Sequence, residues 1–248
     1  MMVPKVVHYC WFGRGRKSSL AEKCMASWHK YLPDYEVKEW NEDNFDVNMI
    51  PYTKEAYAAK KYAFVSDFAR FWILYHYGGL YFDVDVELIR PMDEILEKGP
   101  FMACEDDSGV YSYDLVAPGL GLGANIGMPL YKTIIEYYER EHFLLSEHKM
   151  NLDTVVDHIT KVLKNHGWSP TECIQEVYGV TVYPHEYFCP IRIADGKLYI
   201  TEKTVSIHHY AASWTSPTHR FLRAIIIKIG GYRLKKMLSY LKDFFSRT

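Results

Sequence analysis

Asp83 and Asp85 stand one residue apart in the run Leu80-Tyr-Phe-Asp-Val-Asp-Val-Glu-Leu88. Alternate residues of a strand lie about 6.5 to 7 Å apart at their alpha carbons, so both carboxylates can turn toward one point. Like charges that close repel, and burial without a partner would push one carboxyl upward. A hard divalent cation removes the conflict. Mg²⁺ and Mn²⁺ favour oxygen ligands and are commonly held by one or two carboxylates, the rest of the shell coming from water and substrate phosphates. The chemistry expected is therefore that of a phosphorylated ligand. Asp67 and Arg70, at i, i+3 spacing, share one helix face. An arginine there can bridge carboxylate and phosphate, and the aspartate can accept from a ribose or base; a plain surface ion pair is the bland alternative.

The elements that must position these groups are legible. Ala63 to Tyr77 carries Phe64, Phe68, Phe71, Leu74 and Tyr75 at helical spacing, which predicts a helix packed on a core. Gly78 and Gly79 end it and let the chain reverse into a strand. From Leu80 to Leu88 apolar and polar residues alternate, which predicts one continuous strand with Tyr81, Asp83, Asp85 and Glu87 on its polar face. Glu87 is read as structural, too far along for the cation.

The succession Ser66-Asp67-x-x-Arg70 followed by Gly78-Gly79-x-Tyr81-x-Asp83-x-Asp85 resembles the DXD glycosyltransferases of family 32, with the glucosylating domains of clostridial toxins as distant kin. A bare DXD arises often by chance; the whole constellation does not. The resemblance implies an α/β fold of GT-A type, Rossmann-like, with a mainly parallel central sheet. It implies Mn²⁺ or Mg²⁺ held by Asp83 and Asp85, and a nucleotide sugar donor, a UDP-sugar favoured and a GDP-sugar possible. It also implies transfer with retention to a glycan or lipid-linked hydroxyl in polysaccharide or capsule synthesis.

Further residues enter on the same resemblance. Pro4-Lys5-x-x-His8-x-x-Trp11-x-Gly13 is similar to the family's opening motif, in which the aromatic packs on the base. Asn125, ahead of Gly127-Met128-Pro129, is similar to a donor-contacting asparagine. Val205 to Trp214 reads as a strand entering His208-His209 and then Ser213-Trp214, a segment that closes over metal and diphosphate in similar enzymes. One histidine completes the metal shell or binds phosphate. Strand alternation allows only one of the two to face inward and leaves the choice open. Ser213 would add an oxygen ligand, and Trp214 an indole N–H to a phosphate, assisting the leaving group together with Arg70.

Around this core the chain reads as alternating strands and helices: a strand Val6–Phe12, a helix from a Ser19-x-x-Glu22 capping box to Tyr31, a strand Tyr35–Trp40, then helical patterns near Tyr52–Lys60, Pro129–Arg140 and from an Asp153 cap to Asn165. His158 and His166 read as surface residues. The segment Ala117–Met128 is glycine-rich without phosphate-loop spacing, so it suits close packing on a sugar. The acids Glu105-Asp106-Asp107 are expected to be a solvated turn or to face the acceptor.

Composition bounds the rest. The chain has 248 residues, 48% hydrophobic and 24% charged, which suits one globular catalytic domain over 1–216. The five cysteines show no CxxC spacing, so neither a disulfide framework nor a zinc site is suggested. No leader or membrane-spanning run is apparent, and a cytoplasmic location is expected. The net charge of −2 hides an asymmetry, because His219 to Thr248 holds eight Lys or Arg against the single acid Asp243. Residues 217–248 read as a helical, basic amphipathic appendage that packs on the domain or lies peripherally on the inner face of an anionic membrane. No nucleic-acid partner is indicated. Two rivals remain: a phosphatase of haloacid-dehalogenase type, from the strand-then-DVDV pattern, and a nucleotide-sugar-binding protein without catalysis.

Overall fold

The computed structural model describes residues 3–106, 115–146, 149–151, 153–192 and 197–211. In chain order the elements are β1 (Val6–Cys10), α1 (Ser19–Tyr31), β2 (Glu36–Trp40), α2 (Pro51–Ala58), α3 (Tyr62–Tyr77), β3 (Gly79–Tyr81), β4 (Val86–Leu88), α4 (Asp93–Leu96) and β5 (Phe101–Glu105). Then follow β6 (Leu115–Val116), a 3₁₀ turn Pro118–Leu120, β7 (Leu122–Ala124), α5 (Pro129–Tyr138), the pair β8 (Leu144–Ser146) and β9 (Lys149–Met150), α6 (Val155–Asn165), β10 (Gln175–Val177), β11 (Val180–Tyr183), α7 (His185–Phe188) and β12 (Ser206–His208).

The main sheet has the order β10-β11-β5-β7-β3-β1-β2, with β6 added on β5. Strands β2, β1, β3, β5 and β11 run one way; β7 and β10 run against them. The sheet is thus mainly parallel with an inserted antiparallel strand. Alternate residues feed two cores. Met102 and Cys104 of β5 join Phe68, Tyr131 and Leu163 on the side of α3, α5 and α6. Phe101 and Ala103 join Val7, Trp28 and Phe188 on the side of α1 and α7.

Helix α3 ends as expected: Gly78 takes φ 63° and its amide bonds the Leu74 carbonyl. Gly79 is needed twice over, since its φ is 96° and a Cβ there would stand 2.6 Å from the Val6 carbonyl oxygen. Beside it lies His8, 1% exposed. Its Nδ1 accepts from the Trp40 indole at 3.0 Å, so Nε2 carries the proton and donates to the Gly78 carbonyl at 3.0 Å.

Three sequence expectations need correction. The Leu80–Leu88 strand is broken: the chain leaves the main sheet after Tyr81, turns through Asp83-Val84-Asp85 with the Val86 amide bonded to the Asp83 carbonyl at 3.0 Å, and re-forms as β4 in a separate ribbon with β12. Perfect alternation conceals such a break, because the residues on both sides stay buried. The caps of α1 and α6 lie one residue from the expected ones. Ser18, not Ser19, accepts from the Ala21 amide, and Thr154, not Asp153, accepts from the Asp157 amide. His158 is not a surface residue; it stacks on Tyr137 at 3.5 Å with its Nε2 buried, and burial lowers it to about 4.

Candidate active site

Arg70 projects from the third turn of α3 and is 4% exposed. Its Nε donates to the Ser66 carbonyl at 3.1 Å, and its Nη2 lies 2.9 Å from Asp67 Oδ1 and 3.4 Å from Asp83 Oδ1. The guanidinium also stands 5.1 Å from the centroid of the Tyr81 ring. Burial acts against the charge of Arg70, yet Asp83, Tyr81 and Asp67 raise its pKa above the ordinary arginine value. Burial pushes the Asp67 carboxyl up to about 6, with Arg70 opposing that rise and Asp83 adding to it. One buried cation is therefore shared by two acids from different elements. The bland reading of the pair as a surface contact is excluded.

Asp83 stands where β3 has ended. Its Oδ1 accepts from the Tyr81 hydroxyl at 3.0 Å, and its amide bonds the Gly119 carbonyl at 3.1 Å. Gly119 belongs to the 3₁₀ turn, and a Cβ there would overlap Asp83 Oδ2 and come within 3.6 Å of Arg70 Nη1. The glycine-rich segment thus packs on the carboxylate itself.

Asp85 is anchored on both oxygens: Oδ1 meets His208 Nε2 at 3.1 Å, and Oδ2 accepts from the Ala211 amide at 2.8 Å. Burial opposes its charge, but the His208 ring and the Ala211 amide outweigh that and hold the carboxyl down to about 2. His208 answers in the opposite sense: burial alone would lower it, and Asp85 raises it. The antiparallel register sets this up, because β12 places His208 opposite Val86 and Ile207 opposite Glu87.

The open choice between the histidines has a geometric answer. One ligand atom each of Asp83, Asp85 and His208 lies within 4.8 Å of the others. His209 turns away and meets Glu87 Oε2 at 2.8 Å, an oxygen that also receives Lys23 at 2.8 Å. Glu87 is thus engaged in an ion network outside the cluster.

Trp11 follows β1, whose C-terminal end adjoins that of β3. Its indole donates to the Gly15 carbonyl at 2.7 Å and its ring is half-buried beneath Lys17. Burial pushes the neighbouring Cys10 thiol up to about 12, with Arg70 and Asp83 acting on it. Trp11, one residue further along, packs against the other core, the one that holds Val7, Trp28 and Phe82. Asn125 is remote from the carboxylates. Because β7 runs antiparallel to β3 with Ala124 opposite Gly79, Asn125 lies beyond the start of β3, roughly 15 Å by strand rise from the carboxylates. Ser213 and Trp214 lie outside the described residues, as do Asp107 and the 217–248 appendage.

The sequence reading missed Gly119 and the Ala211 amide. The first was one glycine among several in a flagged segment. The second is a backbone group that leaves no mark in a sequence.

The donor set suits a divalent cation: two carboxylates and an imidazole converge, with His208 Nε2 the ring nitrogen turned toward Asp85.

Residues 18–102 match the family described as "Glycosyltransferase sugar-binding region containing DXD motif". The matched segment is similar to a DXD sugar-binding region over about a third of the chain. It contains Asp67, Arg70, Asp83 and Asp85, so the resemblance read from those residues is borne out. Among curated proteins, the chain is 30% identical over 125 residues to inositol phosphoceramide mannosyltransferase 1 of Schizosaccharomyces pombe, covering 46% of this chain and 38% of that one. It is 28% identical over 115 residues to inositol phosphoceramide mannosyltransferase 3 of the same yeast, covering 44% and 31%. The chain therefore spans about a third of the length of these relatives. Among solved structures, it is similar to a glycosyltransferase involved in glycosylation of the major capsid of PBCV-1, with a TM-score of 0.51, 11% identity and coverage of 88% of this chain and 97% of that one. That likeness concerns the fold alone, and it bears out the GT-A type, mainly parallel α/β arrangement expected around the DXD region.

Proposed function

We propose that the chain is a metal-dependent glycosyltransferase, retaining at the anomeric carbon, that moves a hexose or N-acetylhexosamine from a nucleoside diphosphate sugar to a hydroxyl of a glycan or lipid-linked acceptor. The observation that carries this is the convergence of Asp83, Asp85 and His208 in and beside a DXD sugar-binding region. Asp83, Asp85 and His208 would hold the cation, and Ser213 is a further oxygen ligand from sequence. The imidazole among the ligands favours Mn²⁺ over Mg²⁺, since nitrogen donors suit transition ions. When bound, the ion supplies Lewis-acid stabilisation of charge developing on the departing diphosphate.

The chain's own residues do the rest. Arg70, fixed between Asp67 and Asp83, presents permanent positive charge where the phosphates would lie. Trp214 is assigned to the same leaving group. Trp11 offers its ring to the base, and Asp67 accepts from the ribose. The relatives' names favour mannose as the sugar and a phosphoinositol lipid as the acceptor; capsule or polysaccharide synthesis is the alternative setting. Action at the inner face of a membrane, with 217–248 as a basic peripheral contact to the domain formed by 1–216, completes the proposal. The phosphatase reading receives no support from the fold likeness.

The test is direct. Purified protein is incubated with UDP- and GDP-sugars, with and without Mn²⁺, and nucleoside diphosphate release is followed. Metal-dependent release with one donor that Asp85→Ala abolishes supports the proposal; equal turnover in that variant defeats the metal assignment.

A further inference from the structure

Among the described residues, β4, which follows the turn of Asp83 and Asp85, has β12 as its one strand neighbour. In β4, every second residue faces β12: the His209 amide donates to the Asp85 carbonyl at 3.0 Å and the Ile89 amide to the Val205 carbonyl at 2.8 Å. Val86 and Leu88 point their backbone groups to the opposite edge, where no strand runs among the described residues. A bare inner edge would leave buried peptide groups unpaired, which is destabilising.

Helix α1 fills that edge with side chains. The Trp28 indole donates to the Val86 carbonyl at 2.8 Å, and the Leu88 amide donates to the Ser27 hydroxyl at 2.9 Å. The hydroxyl itself donates a hydrogen bond to the Cys24 carbonyl at 2.5 Å, so its orientation is fixed. Trp28 is fully buried, between Tyr9 at 5.7 Å and Phe82 at 5.7 Å. Two consecutive helix residues thus supply a donor and an acceptor to that edge, immediately after Asp85.

We propose that Ser27 and Trp28 are positioning residues that set the Asp83–Asp85 turn for its cation by holding the edge of β4 that faces away from β12. They touch neither carboxylate. They hold the backbone of Val86 and Leu88, and through it the angle at which Asp85 meets His208. The inference rests on the reading of Asp83, Asp85 and His208 as a cation site.

The experiment titrates the metal-free 248-residue chain with MnCl₂ in a calorimeter, for the wild type, Trp28→Phe and Ser27→Ala. Amide exchange over 83–88 is measured on the same samples. Outer supports of metal ligands typically change affinity by 10- to 100-fold, so each variant is expected to bind Mn²⁺ about 10-fold more weakly, with faster exchange at Val86 and Leu88. Phe keeps most of the ring packing and removes the donor; Ser27→Ala removes one hydroxyl and decides the matter should Trp28→Phe fail to fold. A purely structural role would lower the unfolding temperature and leave Mn²⁺ affinity at 15 °C unchanged, and that result overturns the inference alone. A wild type that binds no Mn²⁺ removes the cation reading and this inference with it.

Discussion

Asp85 and His208, separated by 123 positions in the chain, meet with Oδ1 and Nε2 3.1 Å apart. Their neighbours His209 and Glu87 make a parallel contact at 2.8 Å. The two pairs look alike in sequence, but only the first adjoins Asp83. His208→Ala is therefore expected to weaken Mn²⁺ binding by at least 10-fold, and His209→Ala to leave it within about 2-fold while loosening the Lys23–Glu87 contact. Calorimetric titration of both variants separates them; equal losses would count against the assignment of His208.

Gly119 is predicted to matter for the site far more than for the fold. The group its Cβ would strike is the free end of the Asp83 side chain, which can rotate away. Gly119→Ala should thus change stability by less than about 1 kcal/mol and still reduce cation affinity by about 10-fold. Urea unfolding beside Mn²⁺ titration tests it, and an unaltered affinity would refute it.

Arg70 is the hinge of a buried charge cluster. Removing one partner of such a cluster leaves charge without compensation, which typically costs 3 to 5 kcal/mol. Arg70→Met should destabilise the protein by about that amount at pH 7, because Asp67 and Asp83 would then face each other across the gap. A loss below about 1 kcal/mol in the urea midpoint analysis would show that the ion pairs are not structural.

Acid should loosen the turn at Gly78. Burial lowers His8 to about 4, offset in part by its bond to the Gly78 carbonyl, from an unfolded value of 6.5. Above pH 6.5 the ring is neutral in both states and no proton is exchanged. As pH falls from 6.5 toward 4, the unfolded chain binds a proton that the folded one resists, so stability is lost, by up to about 3 kcal/mol for this residue. His158 acts in the same sense. His8→Gln keeps a donor for Gly78 and does not titrate, so the stability difference between pH 7.5 and 4.5 should shrink. An unchanged difference would exclude His8 as its source.

Much of this site is legible in the sequence. Helical spacing, two glycines and paired acids located α3, its end and the carboxylates. They did so because burial periodicity and left-handed backbone leave direct marks on residue choice. The break between β3 and β4 left none: Phe82, Val84 and Val86 satisfy an unbroken strand as well as a turn between two sheets. Asn125 was misplaced for a related reason, since the direction of β7 depends on which strand it joins rather than on its own residues. The choice of His208 over His209 needed the register with β4, a relation across more than a hundred residues.

The ribbon of β4 and β12 also carries a consequence for the order of events during synthesis. The carboxylates of the turn leave the ribosome well before the histidine that partners one of them; with 123 residues between Asp85 and His208 and a synthesis rate of about 5 to 20 residues per second, the delay is on the order of ten seconds. A nascent chain stalled within that interval already holds α1, the donor of Ser27 and Trp28, but neither β12 nor the ring beside Asp85. Assembly of the Asp83, Asp85 and His208 cluster therefore waits until translation has reached the segment that ends at Ala211.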